Sequence, residues 1–228
     1  MSQSSSSGGS VTMSPVDHAL ARNLMVDGQL RPTRVNDRRI LDAMRTLPRE
    51  AYLPVHLENL AYIDEDVPLG EGRYLLKPLV LARLIQLARP RAGEAALVVG
   101  AGCGYGAAIL AACGVHVTAL DDSAGLLDLA RRHANSLITL VQGPLADGWA
   151  ADAPYDLVLI EGGVREIPKA IGRQVSANGR LVTVLCPAGG QGVAVLAEPS
   201  TGGLRAQPEF DATAPLLPSL LPAPSFTF

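Results

Sequence analysis

The sequence predicts an α/β fold: a doubly wound, mostly parallel sheet with N-terminal helices and antiparallel strands added at one edge. Three observations carry this. The short run Ala95-Ala96-Leu97-Val98-Val99 is apolar without alternation, as a strand buried on both faces must be. It feeds directly into the glycine cluster Gly100-Ala-Gly102-Cys-Gly104-Tyr-Gly106 and then into the helix-forming stretch Ala107 to Ala112. From residue 95 onward, strand-like and helix-like segments alternate, the signature of a parallel sheet covered on both faces.

Residues 15 to 90 read as helical with loops. Asp37 is placed to cap a segment with Ile40, Leu41, Met44 and Leu47 on one face, and Pro48 closes it. A loop carrying Tyr62, Asp64 and Pro68 leads to Gly70-Glu-Gly72. A second helix starts near Pro78, which suits a first-turn position, and buries Leu79, Leu81, Leu84, Ile85 and Leu87 before Pro90. In the sheet region the predicted strands are 95–99, 115–120, 138–142, 155–160 and 180–185. Helices near 123–134 and 166–175 connect them, and Asn178-Gly179 supplies a turn. Past Cys186 come short strands with Gly/Pro turns, at 193–197 and 204–210, read as antiparallel additions. One domain over 15–214 follows, with a helical part at 15–90 and a sheet core at 91–214. Residues 1–14 read as a flexible Ser/Gly leader and 215–228 as an apolar, proline-rich tail.

The glycine cluster is the chemically informative feature. A strand, a glycine turn and a helix start together let a ligand approach bare backbone and offer it free N–H groups. The next strand ends in Asp121, 17 residues after Gly104, where an acid can accept hydrogen bonds from both ribose hydroxyls of an adenosine. Two cofactors compete for such a loop. Read from Gly102, the pattern fits the dinucleotide fingerprint with alanine in its last place. Read from Gly100, at the strand end, it is Gly-x-Gly-x-Gly, the form used with S-adenosylmethionine. The second reading starts where the strand stops, and the first does not.

Composition sets outer bounds. With 48% apolar and 18% charged residues the chain is globular rather than disordered. A net charge of −3 argues against a protein that binds nucleic acid through phosphate contacts. No apolar run reaches the roughly 18 residues of a membrane helix, and the leader lacks the basic and apolar parts of a signal peptide. Three cysteines without Cys-x-x-Cys spacing point to a reducing cytoplasm and to no metal.

An ordered set of short motifs over residues 20 to 190 resembles the protein-L-isoaspartate O-methyltransferases. It comprises Met25-Val-Asp-Gly-Gln-Leu30, Leu41-Asp-Ala-Met44, Pro48-Arg-Glu-Ala-Tyr-Leu-Pro54, Ala61-Tyr-Ile-Asp64, Pro68-Leu-Gly70, the glycine loop, Ala153-Pro-Tyr-Asp156, Glu166-Ile-Pro168 and Asn178-Gly-Arg-Leu-Val182. The ending Phe210-Asp-Ala-Thr-Ala-Pro-Leu-Leu-Pro218 is similar to a bacterial branch of that family. The resemblance implies a methyltransferase-type, Rossmann-like sheet, S-adenosyl-L-methionine as cofactor, and an isoaspartyl-containing peptide or protein as methyl acceptor, the first step of protein repair.

It also marks departures. Members carry Thr-Ile-Ser-Gln-Pro or a near variant before the second helix, with the serine in the active site. Here the segment is Tyr74-Leu-Leu76-Lys-Pro78, so Leu76 stands at the serine position and Lys77 is left as a point charge to attract a carboxylate. Val98 replaces an acid before the loop, and Gly143-Pro144 replaces a Gly-Asp pair. Glu161 replaces an uncharged Thr or Ser at a strand's carboxyl end, where open α/β sheets bind ligands. The expected cofactor contacts are Gly100, Gly102, Gly104, Tyr105, Asp121, Gly143 and Glu161. For Tyr105 the competing reading is packing against the N-terminal helices, and for Lys77 a solvated surface lysine. Cys103 reads as a small filler of the loop.

Two functional classes stay open at this level. One is a carboxyl methyltransferase of the isoaspartyl-repair type with a divergent site. The other is a weak or inactive relative with a binding role, or a methyltransferase for another acceptor. A dinucleotide oxidoreductase is disfavoured by where the loop begins. The tail is expected to pack on the body, with a homodimer contact as its competing role.

Overall fold

The computed structural model describes residues 17–221. The leader at 1–14 and the tail beyond 221, with Phe226 and Phe228, lie outside the described residues.

Helix α1, His18–Leu24, is capped by Asp17, whose carboxylate accepts from the Leu20 N–H at 3.0 Å. The chain runs on through the wide helical turn Met25–Leu30, which buries Met25, Val26 and Leu30. Helix α2, Arg38–Thr46, is capped by Asp37 through the Arg39 N–H and buries Ile40, Leu41, Ala43 and Met44, the predicted face. Helix α3, Pro78–Ala88, begins on its proline as expected. The N-terminal part is not wholly helical, however. Strands β1, Val67–Gly70, and β2, Arg73–Leu75, form an antiparallel hairpin. It escapes notice because both strands are very short. Its turn works because Gly70, Glu71 and Gly72 all take positive φ (95°, 53° and 69°), which reverses the chain abruptly.

The sheet comprises β3, Ala95–Val99; β4, His116–Asp121; β5, Ile138–Gln142; β6, Tyr155–Val164; β7, Val175–Leu185; β8, Val193–Ser200; and β9, Gly203–Asp211. Its order is β5-β4-β3-β6-β7-β8-β9, with β3 to β7 parallel and β8 and β9 antiparallel additions. Helices α4, Tyr105–Ala112, α5, Ala124–Arg131, and α6, Lys169–Gly172, make the crossovers. Alternate residues of β3 enter opposite cores. Ala96 and Val98 join the larger one with α2, α3 and α4, while Leu97 and Val99 join a smaller one with Ile160, Ile171, Leu217 and Leu220. Val98, where the resemblance implies an acid, is therefore a core residue with no exposure.

Three predicted boundaries move. Asn178-Gly179 makes no turn between elements. It lies inside β7, where the register jumps from Tyr155↔Val175 to Leu157↔Arg180 and the intervening residues bulge outward. The helix expected over 166–175 shortens to α6, because Pro168 precedes its start and the Gln174 carbonyl is taken by the Tyr155 N–H. Strand β6 runs on through Glu161-Gly162-Gly163-Val164, four residues past its predicted end.

Candidate cofactor and active site

In an open α/β sheet, ligands bind beyond the carboxyl ends of the strands where the winding reverses. Here that point lies between β3 and β6, since β4 and β5 extend one way and β7 the other. The glycine turn leaves β3 at this point. Its frame is built from backbone: the N–H groups of Gly100 and Ala101 both donate to the Leu120 carbonyl at the end of β4, at 2.9 and 3.0 Å. The Gly102 N–H donates to Asp121 Oδ2 at 2.7 Å and the Ser123 N–H to Asp121 Oδ1 at 3.0 Å. Asp121 thus ties the turn to the start of α5. Gly143 follows β5 beside it, and its N–H donates to the Asp121 carbonyl at 3.1 Å.

Asp121 has a further partner that the sequence did not reveal. Arg73, delivered by the β1–β2 hairpin, donates from Nη2 to Asp121 Oδ2 at 2.8 Å and from Nη1 to Asp122 Oδ1 at 3.0 Å. Both Arg73 and Asp121 are buried. Burial holds the Asp121 carboxyl above its ordinary value, against the opposing pull of the Arg73 guanidinium. The signal that could have found it was the Gly70-Glu-Gly72 turn between two short apolar stretches, a hairpin pattern.

A second side chain stands at the reversal point. A Cβ built on Gly100 would lie 3.0 Å from Arg73 Nη2 and 3.1 Å from Leu217 Cδ1, and one on Gly162 would lie 2.6 Å from Leu217 Cγ. Leu217, from the tail, therefore sits between the end of β3 and the end of β6. Glu161 flanks the same place. A Cβ on Gly106 would come within 2.8 Å of its carboxyl carbon, so only glycine admits Glu161 here. Glu161 Oε2 is buried without a hydrogen-bond partner, and burial raises this carboxyl to about 8, despite the nearby guanidiniums of Arg49 and Arg73.

The remaining candidates are dispersed. Tyr105 is fully buried and turned toward the N-terminal layer. Its ring meets Tyr52 edge-on at 5.1 Å and lies under the Arg49 guanidinium at 5.0 Å, so packing, the competing reading, describes its contacts. Leu76 does not line an open cleft. Its side chain is buried in the larger core, and its carbonyl accepts from Arg49 Nη2 at 2.7 Å. Arg49 also donates to the Ala61 carbonyl and leaves Nη1 unpartnered, so it braces the segment before α3. Lys77 lies apart from Asp121, with Nζ 3.3 Å from Thr213 Oγ1. Cys103 is buried and its thiol is raised to about 12 by burial, unsuited to a nucleophile. Asp156 accepts from the Ala95 N–H at 3.1 Å and Ser176 Oγ at 3.3 Å, a tie between strands.

The acceptor groups and glycine frame suit an adenosine-bearing cofactor: a buried carboxylate at the end of β4, a turn of bare backbone, and the orphaned Glu161 oxygen. Two of the chain's own side chains, Arg73 and Leu217, lie on that frame.

Comparison with known proteins agrees with the frame. Residues 21–207 match the family model for protein-L-isoaspartate(D-aspartate) O-methyltransferase. The protein-L-isoaspartate O-methyltransferase of Methylorubrum extorquens is 40% identical over 178 residues, covering 77% of this chain and 78% of that protein. A Rhodopseudomonas palustris protein of the same name is 36% identical, covering 72% and 69%. Among solved structures, a protein-L-isoaspartate O-methyltransferase superposes with a TM-score of 0.74 at 21% identity, covering 87% of this chain and 67% of that one. A putative Plasmodium falciparum member in complex with S-adenosyl-L-homocysteine gives 0.69 at 18% identity, covering 89% and 98%. At these identities the solved structures speak for the fold, while the family model and the relatives speak for membership. The chain belongs to the S-adenosylmethionine-dependent protein-L-isoaspartate(D-aspartate) O-methyltransferase family.

Proposed function

We propose that this chain binds S-adenosylmethionine at the carboxyl ends of β3, β4 and β6 and methylates the carboxylate of an isoaspartyl residue in a peptide or protein. The observation that carries the reading is Asp121: a buried acid at the end of β4, fastened by the Gly102 and Ser123 N–H groups beside a glycine turn. When bound, the cofactor supplies an electrophilic methyl group on a sulfonium. In this reading Asp121 accepts from the ribose hydroxyls, and the Gly100–Gly104 backbone and Gly143 form the floor of the site. Glu161, protonated near neutral pH, borders it without repelling an incoming carboxylate. Such a carboxylate is already ionised near pH 7, so the protein's task is positioning rather than deprotonation.

Leu76 contributes no hydroxyl, and Lys77 is offered as a charge that draws in the acceptor. A second reading, a different acceptor or a binding role, is favoured by the burial of Leu76. Transfer of a tritiated methyl group to an isoaspartyl peptide, beside its aspartyl control, separates the two. Selective labelling is expected, and no labelling with cofactor bound would favour the second reading.

The wider setting rests on simpler grounds. No helix among the described residues is long and apolar enough to cross a membrane. A cytoplasmic location is proposed on three unpaired cysteines, and the net charge of −3 leaves nucleic acid out of the proposed partners. Among the described residues of the tail, Leu217 and Leu220 are buried against their own chain and Leu221 is an exposed leucine that self-association could use.

A further inference from the structure

The segment after β9 returns across the sheet and touches the reversal point in three ways. Its backbone pairs with the end of β6: the Gly163 N–H donates to the Pro215 carbonyl at 2.7 Å, and the Leu217 N–H to the Gly163 carbonyl at 2.9 Å. Its Leu217 side chain enters between Gly100 and Gly162. Its Ser219 hydroxyl bonds to Asp122, which also receives Arg73. Pro218 rests on the hairpin turn, where a Cβ at Gly72 would lie 2.8 Å from its ring. The strap thus reaches both the glycine turn and the hairpin that carries Arg73.

We propose that residues 214–221 form an autoinhibitory strap, with Leu217 and Arg73 acting as an internal ligand that S-adenosylmethionine must displace to enter. Two features fit a ligand stand-in better than ordinary packing. Arg73 donates to the carboxylate that ribose hydroxyls would use, so Asp121 is satisfied in the closed state without a cofactor. Leu217 fills the place between β3 and β6 where an open sheet of this winding binds its ligand. Beyond the side chains of Leu217 and Leu220, which enter the smaller core, the backbone attachment is sparse. Pro215 and Pro218 have no N–H to donate, so the strap meets the sheet through a single bridge, Gly163↔Leu216, and its two flanking hydrogen bonds. A closed state that competes with the ligand lowers apparent affinity by the fraction of molecules that are open.

The inference rests on reading this cleft as the cofactor site, and the test separates the two. S-adenosylhomocysteine would be titrated calorimetrically into the full chain, Leu217→Ala and Ser219→Ala, each first shown by its melting curve to be folded. The exposed Ser219 is the safeguard should Leu217→Ala fail to fold. Trimming Leu217 is expected to tighten binding about tenfold or more, and Ser219→Ala to shift it the same way by less. Hydrogen exchange at the Gly163 and Leu217 amides should quicken when the ligand saturates the chain. Wild-type binding that neither variant improves, with both amides still protected, would overturn the strap while leaving the cofactor reading intact. No binding by any variant would overturn both, since opening the strap would then expose no such site.

Discussion

Arg73 and Asp121 form a buried ion pair, 2.8 Å between Nη2 and Oδ2, that joins the β1–β2 hairpin to the end of β4 across 48 residues of sequence. An isolated buried charge is costly, so each partner depends on the other more than the pair benefits the fold as a whole. Arg73→Ala should therefore destabilise the protein by about 3–5 kcal/mol, as when one partner of a buried pair is removed. The Gly102 and Ser123 N–H groups that remain on Asp121 place the loss toward the lower end. Saturating S-adenosylhomocysteine should recover part of it by mass action. Urea unfolding with and without the ligand measures both effects, and an unchanged midpoint would show the pair to be energetically idle.

Asp121→Ala removes the acceptor that the proposed function assigns to the ribose. Hydrogen bonds to a charged group are worth about 1.5–3 kcal/mol, so affinity for S-adenosylhomocysteine should fall roughly tenfold or more. The same calorimetric titration reads this directly. Equal affinity in the variant and the parent would withdraw Asp121 from the site.

Glu161 predicts a pH dependence of stability. Its carboxyl sits at about 8 in the folded protein, against an ordinary value of 4.5. The folded state therefore holds a proton that the unfolded chain releases above about 4.5. Stability from this group is full below that value and falls as the pH rises toward 8. A tenfold difference in proton affinity between the folded and unfolded states is worth about 1.4 kcal/mol, so the loss across the window is on the order of a few kcal/mol. Glu161→Gln should flatten the profile and be more stable than the parent at pH 8. Denaturant curves at intervals from pH 5 to pH 8 would expose a parallel pair of profiles if Glu161 is ionised throughout.

Leu76→Ser installs the hydroxyl that the resemblance assigns to this position, but at a site buried from solvent. Leu76 is 1% exposed and belongs to the larger core. Truncating a buried leucine costs about 2–5 kcal/mol, and a buried hydroxyl without a partner adds to that. The variant is expected to melt lower and to gain no methyl transfer to an isoaspartyl peptide. A folded Leu76→Ser chain with raised activity would show that this segment opens during turnover.

The residues legible in the sequence were those whose roles are local. Asp37 caps α2, Pro78 opens α3, and the β3 run with its glycine turn follows from short-range periodicity and backbone freedom. Asp121 could be placed at a strand end because strand length alone puts it there. Tyr105 and Leu76 were harder. Tyr105 follows the glycine turn and Leu76 stands where the resemblance implies a site residue, yet each side chain turns into the packed N-terminal layer, and side-chain direction depends on what packs opposite.

The sequence by itself determined the alternation of strands and helices, the glycine turn and the acid at the end of β4, because each depends on residues only a few positions apart. Only the tertiary structure decided what lies on that frame. Arg73 reaches Asp121 through a three-residue strand too short to leave a periodic signal, and Leu217 reaches Gly100 from 117 positions away in the chain. Contacts of that range are set by how layers pack and where a proline-containing tail returns, which neither propensity nor spacing encodes.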